Sequence, residues 1–147
     1  MTKEAARGRV VAFDLGEKRI GVAVSDPTGT IAVGRETIPR SGNSVPWRRV
    51  LEVVTEAQAE RVVVGDPLRL DGEPSDGSRL ARDFRQQLEE RAGVRVELFD
   101  ERFTSVEARR ALVATGRSRK RRKEDVDRVA ATLILQAWLD RRAGGSP

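Results

Sequence analysis

The chain has 147 residues, enough for one domain with a substantial core, and combines 38% hydrophobic with 35% charged residues. It contains no Cys, His or Tyr, which excludes disulfides, thiol and tyrosine nucleophiles, Ser-His-Asp triads and histidine- or cysteine-ligated metals. The net charge is +5, and six cations fall within Arg117–Lys123; without those six, 22 basic residues face 23 acidic ones.

Residues 1–8 read as a flexible lead without a signal-peptide core. Arg9 to Asp14 and Ile20 to Ser25 are β-rich runs joined by the tight connection Leu15-Gly16-Glu17-Lys18-Arg19. Ile31 to Ile38 follows the turn signal Asp26-Pro27-Thr28-Gly29 and completes a three-stranded meander. From Val45 to Ala59 the period changes: Val50, Leu51, Val53, Val54 and Ala57 recur at helical spacing. Arg61 to Val64 is a short buried-type strand ending at Gly65. Leu80, Phe84 and Leu88 repeat every four residues in a helix that stops near Gly93. Val94 to Phe99 is the fifth strand, and Ser105 to Ala114 a short helix with Ser105 as N-cap and Gly116 as its stop. After the basic segment, Glu124 to about Arg142 is the longest helix, and residues 143–147 form a flexible tail.

The order β-β-β-α-β-α-β-α-α implies one α/β domain over residues 9–142. Its mixed five-stranded sheet has three antiparallel strands followed by βαβαβ, with helices on both faces. Sites in such sheets form beyond the carboxyl ends of parallel strands. No stretch is apolar enough to span a bilayer, so a cytoplasmic location is expected.

Three acidic residues stand out. Asp14 ends an apolar run, Glu101 follows another, and Asp127 shares a helix face with Ala131, Ile134 and Trp138. The nearby Asp125 instead shares its face with Arg128, Thr132 and Gln136. Ordinary roles compete: Asp14 as a turn aspartate, Asp100 or Glu101 as partner of Arg102, and Asp127 as a carboxylate near a helix start. Because strand side chains alternate, only one of Asp100 and Glu101 can join a given face. A cluster of Asp14, Glu101 and Asp127 would need a cation, and Mg²⁺ or Mn²⁺ held by oxygen ligands suits phosphodiester hydrolysis without histidine. A basic segment beside it would hold a polyanion against the metal. Two other classes compete. One is a non-catalytic nucleic-acid binder; the other is an actin-like or sugar-kinase-like nucleotide binder, which would need two such domains.

Four ordered motifs resemble the YqgF/RuvX family. They are Ala12 to Asp26, Val63 to Leu68 with Asp71-Gly72, Asp100 to Ala108, and Val126 to Leu135. The resemblance implies an RNase H-like fold and a nuclease that matures the precursor of small-subunit ribosomal RNA, with Holliday-junction resolution as the alternative. It puts Asp14, Glu101 and Asp127 on the family's acidic metal-binding positions, and Lys18, Arg19 and Arg102 on basic positions suited to phosphate. Arg117, Arg119, Lys120, Arg121, Arg122 and Lys123 add to the expected nucleic-acid surface, for structured RNA and for branched or single-stranded DNA. A resolvase acting symmetrically on a junction is expected to be a homodimer. Two departures stand out: Asp66 where the family is usually apolar, and Phe103 where it is usually aliphatic.

Overall fold

The computed structural model describes residues 9–42, 44–104 and 119–144, with side chains in the last stretch described from Asp127 onward. Five strands form one sheet: β1 (Arg9–Leu15), β2 (Arg19–Ser25), β3 (Ala32–Pro39), β4 (Ala59–Asp66) and β5 (Arg95–Asp100). Their spatial order is β3-β2-β1-β4-β5. The β1–β2 and β2–β3 pairs are antiparallel, while β1–β4 and β4–β5 are parallel. This is the mixed sheet expected from the element order. β1 lies at its centre, and Val10 to Asp14 are all buried, as a strand covered on both faces requires.

Strand alternation divides the apolar residues into two cores. Val11, Phe13, Ile20, Val22, Val62 and Val64 face helices α1 (Trp47–Glu56) and α2 (Asp76–Ala92). Val10, Ala12, Ala23 and Val63 face helix α3 (Arg119–Ala143), which contributes Ala130, Ala131, Ile134, Leu135, Trp138 and Leu139. Helix α2 begins with a capping box at Ser75, whose hydroxyl accepts from the Ser78 N–H, and it ends at Gly93 in the left-handed conformation (φ 67°). The turn between β2 and β3 is organised by Asp26. Its carboxylate accepts from the Ile31 and Thr30 N–H groups, both at 2.8 Å, and from the Thr28 hydroxyl. These bonds, led by that from Ile31, hold Asp26 far below the ordinary carboxylate range.

Two sequence expectations change. Helix α3 begins at Arg119 rather than Glu124, so the backbone of Arg119 to Lys123 is helical. Arg, Lys and Glu are good helix formers, and the run needs no apolar stripe of its own once the downstream turns are packed. In α2 the buried face is Ser78, Ala81, Phe84 and Leu88, whereas Leu80 is 43% exposed. Ala81 and Leu88 flank Phe84 at three and four residues, and Leu80 falls outside that stripe. Helix α3 runs through Ala143, close to the end expected near Arg142. The helix expected over Ser105 to Ala114, and Arg117, lie outside the described residues.

Candidate active site

The site is built on one level of the sheet. Asp14 pairs with Gly21 of β2, which pairs with Thr37 of β3, while Gly65 of β4 pairs with Phe99 of β5. The parallel register that sets Phe13 beside Val64 places Gly65 level with Asp14. Asp14 thus stands between two glycines, and alternation with Val10 and Ala12 puts it on the face covered by α3.

Both glycines leave space that other groups occupy. A Cβ on Gly21 would lie 1.9 Å from the Asp127 carbonyl oxygen, so the α3 backbone rests directly on β2. A Cβ on Gly65 would lie 2.6 Å from Ile134 Cδ1 and 2.8 Å from Glu101 Oε2, so the Glu101 carboxylate occupies the room over β4. Gly16 is 2.9 Å from the Arg19 carbonyl through its N–H, closing the β1–β2 hairpin, and its missing side chain admits the Asp127 carboxylate. The Arg40 guanidinium donates to the Gly16 carbonyl at 2.7 Å and ties the hairpin to the end of β3.

The three expected carboxylates therefore come from β1, the turn after β5, and α3, and converge on one row. Asp14 is 1% exposed and Glu101 5%. Asp127 is the ninth residue of α3, beyond the first turn where the helix dipole acts, so a role near the helix start does not account for it. Its carboxylate pairs with Arg19 at 3.4 Å, both side chains being mostly buried.

The chain's own geometry settles which neighbour of Arg102 joins the row. After β5 the backbone turns into a 3₁₀ turn (Glu101–Phe103), which sends Glu101 over Gly65. Asp100 instead binds Arg102, with contacts of 2.7 Å to Nη2 and 3.0 Å to Nε. That bond lowers the pKa of Asp100 and raises that of Arg102. Arg102 Nη1 also donates to the Leu70 carbonyl at 3.4 Å, so the guanidinium holds the loop after β4 against the end of β5. Lys18 is exposed at the hairpin tip. Asp66 is 5% exposed and pairs with Asp100 in the β4–β5 register. Alternation from Gly65 places Asp66 on the α1–α2 face, away from Glu101, and its Oδ1 has no hydrogen-bond partner.

As a donor set the three carboxylates fit a hard divalent cation: all are oxygen ligands, and two are almost fully buried without a thiol or imidazole nearby. Among the described residues, no group of three or more acidic side chains is placed so that it could hold a metal ion. The convergence is of position, with Asp127 held by Arg19.

A family model described as "RuvX: Holliday junction resolvase" matches residues 8–141. The chain belongs to the RuvX family. A relative from Koribacter versatilis, named "Putative pre-16S rRNA nuclease", is 45% identical over 138 residues, covering 94% of this chain and 90% of the relative. One of the same name from Clavibacter sepedonicus is 44% identical over 142 residues, covering 95% and 88%. Among solved structures, Thermus thermophilus RuvC in complex with a Holliday junction substrate superposes with a TM-score of 0.58 at 18% identity, covering 95% of this chain and 98% of RuvC. The likeness shows the fold, which is RNase H-like as the motifs implied. This RuvX chain is of the nuclease class by its family and relatives, and nucleic acid is the class of partner that follows. No helix among the described residues is long and apolar enough to cross a membrane.

The sequence pointed to Asp14, Glu101 and Asp127, and the structure places Asp127 over Gly16 and Gly21, Glu101 over Gly65, and Asp14 on the strand between them. The sequence did not assign a role to Gly65, nor pair Arg19 with Asp127. Neither has a local signal: the first depends on strand register, and the second joins residues 108 positions apart.

Proposed function

We propose that this protein hydrolyses phosphodiester bonds with Mg²⁺ or Mn²⁺, in the 5′-end maturation of the small-subunit ribosomal RNA precursor in the cytoplasm. The observation that carries the reading is the Gly21–Asp14–Gly65 row. It gathers Asp14, Glu101 and Asp127 from three elements where only a cation or a donor offsets their burial. The names of the two relatives support ribosomal RNA as the substrate.

Asp14, Glu101 and Asp127 would hold the ion. Once bound, a divalent metal lowers the pKa of an attacking water and stabilises the departing oxygen. Arg19 positions Asp127 through their ion pair and carries a positive charge to the row's edge, where a phosphate meets it. Lys18, exposed beside it, and the segment Arg117 to Lys123 supply further charge for a polyanion, which positions the backbone without reading sequence.

The description of the matching family model favours a second reading, Holliday-junction resolution by a homodimer. Cleavage of matched RNA, single-stranded DNA and junction substrates, with Mg²⁺ or Mn²⁺ and with chelator, separates the two. Asp14→Asn, Glu101→Gln and Asp127→Asn should each remove most metal-dependent cleavage while the protein stays folded, because lost repulsion offsets lost contacts. Metal-independent cleavage, or full activity in all three variants, would overturn the proposal.

A further inference from the structure

Two residues past Glu101, between the edge strand β5 and the C-terminal end of α3, lies a groove of about 480 Å³ that the metal row does not use. Its lining includes Arg61, Phe99, Phe103, Trp138, Arg141 and Arg142. Phe103 is 58% exposed. A lone exposed phenylalanine is ordinary, but this one is part of an assembly. Its ring is 6.1 Å from that of Phe99, and the Arg141 guanidinium lies 4.5 Å from its centroid. Arg142 lies 5.1 Å and Arg61 6.0 Å from the Trp138 ring.

The acids of the groove are already matched. Glu97 accepts from Trp138 Nε1 at 2.8 Å and pairs with Arg61 at 3.4 Å, and Asp100 pairs with Arg102 at 2.7 Å. Three arginines line the groove against these two acids, so its sign is positive. The volume suits a small organic group, since such sites run to about 300–1,000 Å³. Aromatic rings interleaved with arginines make a platform for bases and a track for phosphates. A duplex cannot use the rings, because its bases are stacked inside it.

We infer that this groove binds an unpaired nucleic-acid strand next to the cleavage row, with a base stacked on Phe103 and the backbone held by Arg141. The inference deepens the nuclease reading and rests on it for the identity of the ligand as nucleic acid.

The test measures equilibrium binding in chelator, by fluorescence anisotropy. The probes are a 12-nucleotide pyrimidine strand as RNA and as DNA, the same strands with abasic sites, and a blunt duplex. Phe103→Ala should weaken single-strand binding by about 5- to 100-fold, leave the duplex within about twofold, and lose its effect on the abasic strand. Phe103→Trp should retain wild-type affinity, and Arg141→Gln should weaken binding to intact and abasic strands alike. Unchanged single-strand affinity in Phe103→Ala, or an equal loss on all probes, would overturn the groove. Cleavage by the wild type in Mg²⁺ or Mn²⁺ is scored separately. Cleavage without a Phe103 effect leaves the nuclease and refutes the groove, while a base-dependent Phe103 effect without cleavage does the reverse.

Discussion

Adding one methyl group at Gly21 tests how the row is held together. The Cβ of Gly21→Ala would stand 1.9 Å from the Asp127 carbonyl oxygen and 2.5 Å from its carbon, where real Cβ contacts essentially never fall below 3.0 Å. The obstacle is helix backbone, so no rotamer change relieves it, and α3 must retreat by about 1 Å. Overpacking of this kind costs about 1–3 kcal/mol, and the upper end applies where backbone must move. For a chain of about 150 residues each kcal/mol lowers Tm by roughly 2–4 °C, so a fall of about 6–12 °C is expected. The residue displaced is Asp127, and a misplacement of about 1 Å at a reacting centre can cost about 100-fold in rate. Thermal unfolding followed by circular dichroism, with metal-dependent cleavage measured below the transition, reads both effects. Gly29→Ala is the control: its φ of 72° carries backbone strain, but no atom lies within 4 Å and cleavage should be unchanged. Wild-type Tm in Gly21→Ala, or a folded variant cleaving at the wild-type rate, would refute the reasoning.

Two further outcomes are expected. Binding should be steeply salt-dependent, with a log–log slope on the order of −4 for a duplex if about five cations of the Arg117–Lys123 segment meet phosphates. Replacing Arg119, Lys120, Arg121 and Arg122 with Ala, which preserves helix propensity, should flatten that slope and weaken RNA and DNA binding alike. Turnover at saturating substrate should fall less. The Asp100–Arg102 pair should show in acid. Because Arg102 lowers the pKa of Asp100 in the folded protein, the pair's contribution is complete above the unfolded carboxylate value, about 3.9, and is lost as pH falls through the lower folded one. The difference in urea midpoint between wild type and Asp100→Asn should therefore be largest near neutrality and shrink as pH drops.

The chain order of strands and the mixed sheet were legible because β1, β2 and β4 are apolar runs bounded by turn residues, so composition and turn chemistry delimit them. The start of α3 was not, since Arg119 to Lys123 has no apolar stripe and a charged run reads equally as a solvated loop. Asp127 was legible from its helix face; Asp14 and Glu101 were legible only as strand ends. Local sequence left Asp100 and Glu101 interchangeable, and the 3₁₀ turn divides them. Arg102, expected as a phosphate contact, also has a structural partner that the sequence left open, since its guanidinium is engaged by Asp100 and Leu70. Gly65 gains its meaning from a carboxylate 36 positions away in β5's following turn, which no window of sequence contains.

The dependence of the row on α3 has a consequence during synthesis. Helix α3 follows every strand in chain order, yet it supplies Asp127, seals the face above Asp14 and contacts Gly21 and Gly34 near the other end of the sequence. A nascent chain can pair its hairpin strands early, because β1 to β3 are consecutive and antiparallel. It cannot assemble three carboxylates until residues 119–143 have left the exit tunnel and docked. A polypeptide released before that point would carry Asp14 and Glu101 without their third partner. On the proposed function, hydrolytic competence thus arrives last, with helix α3.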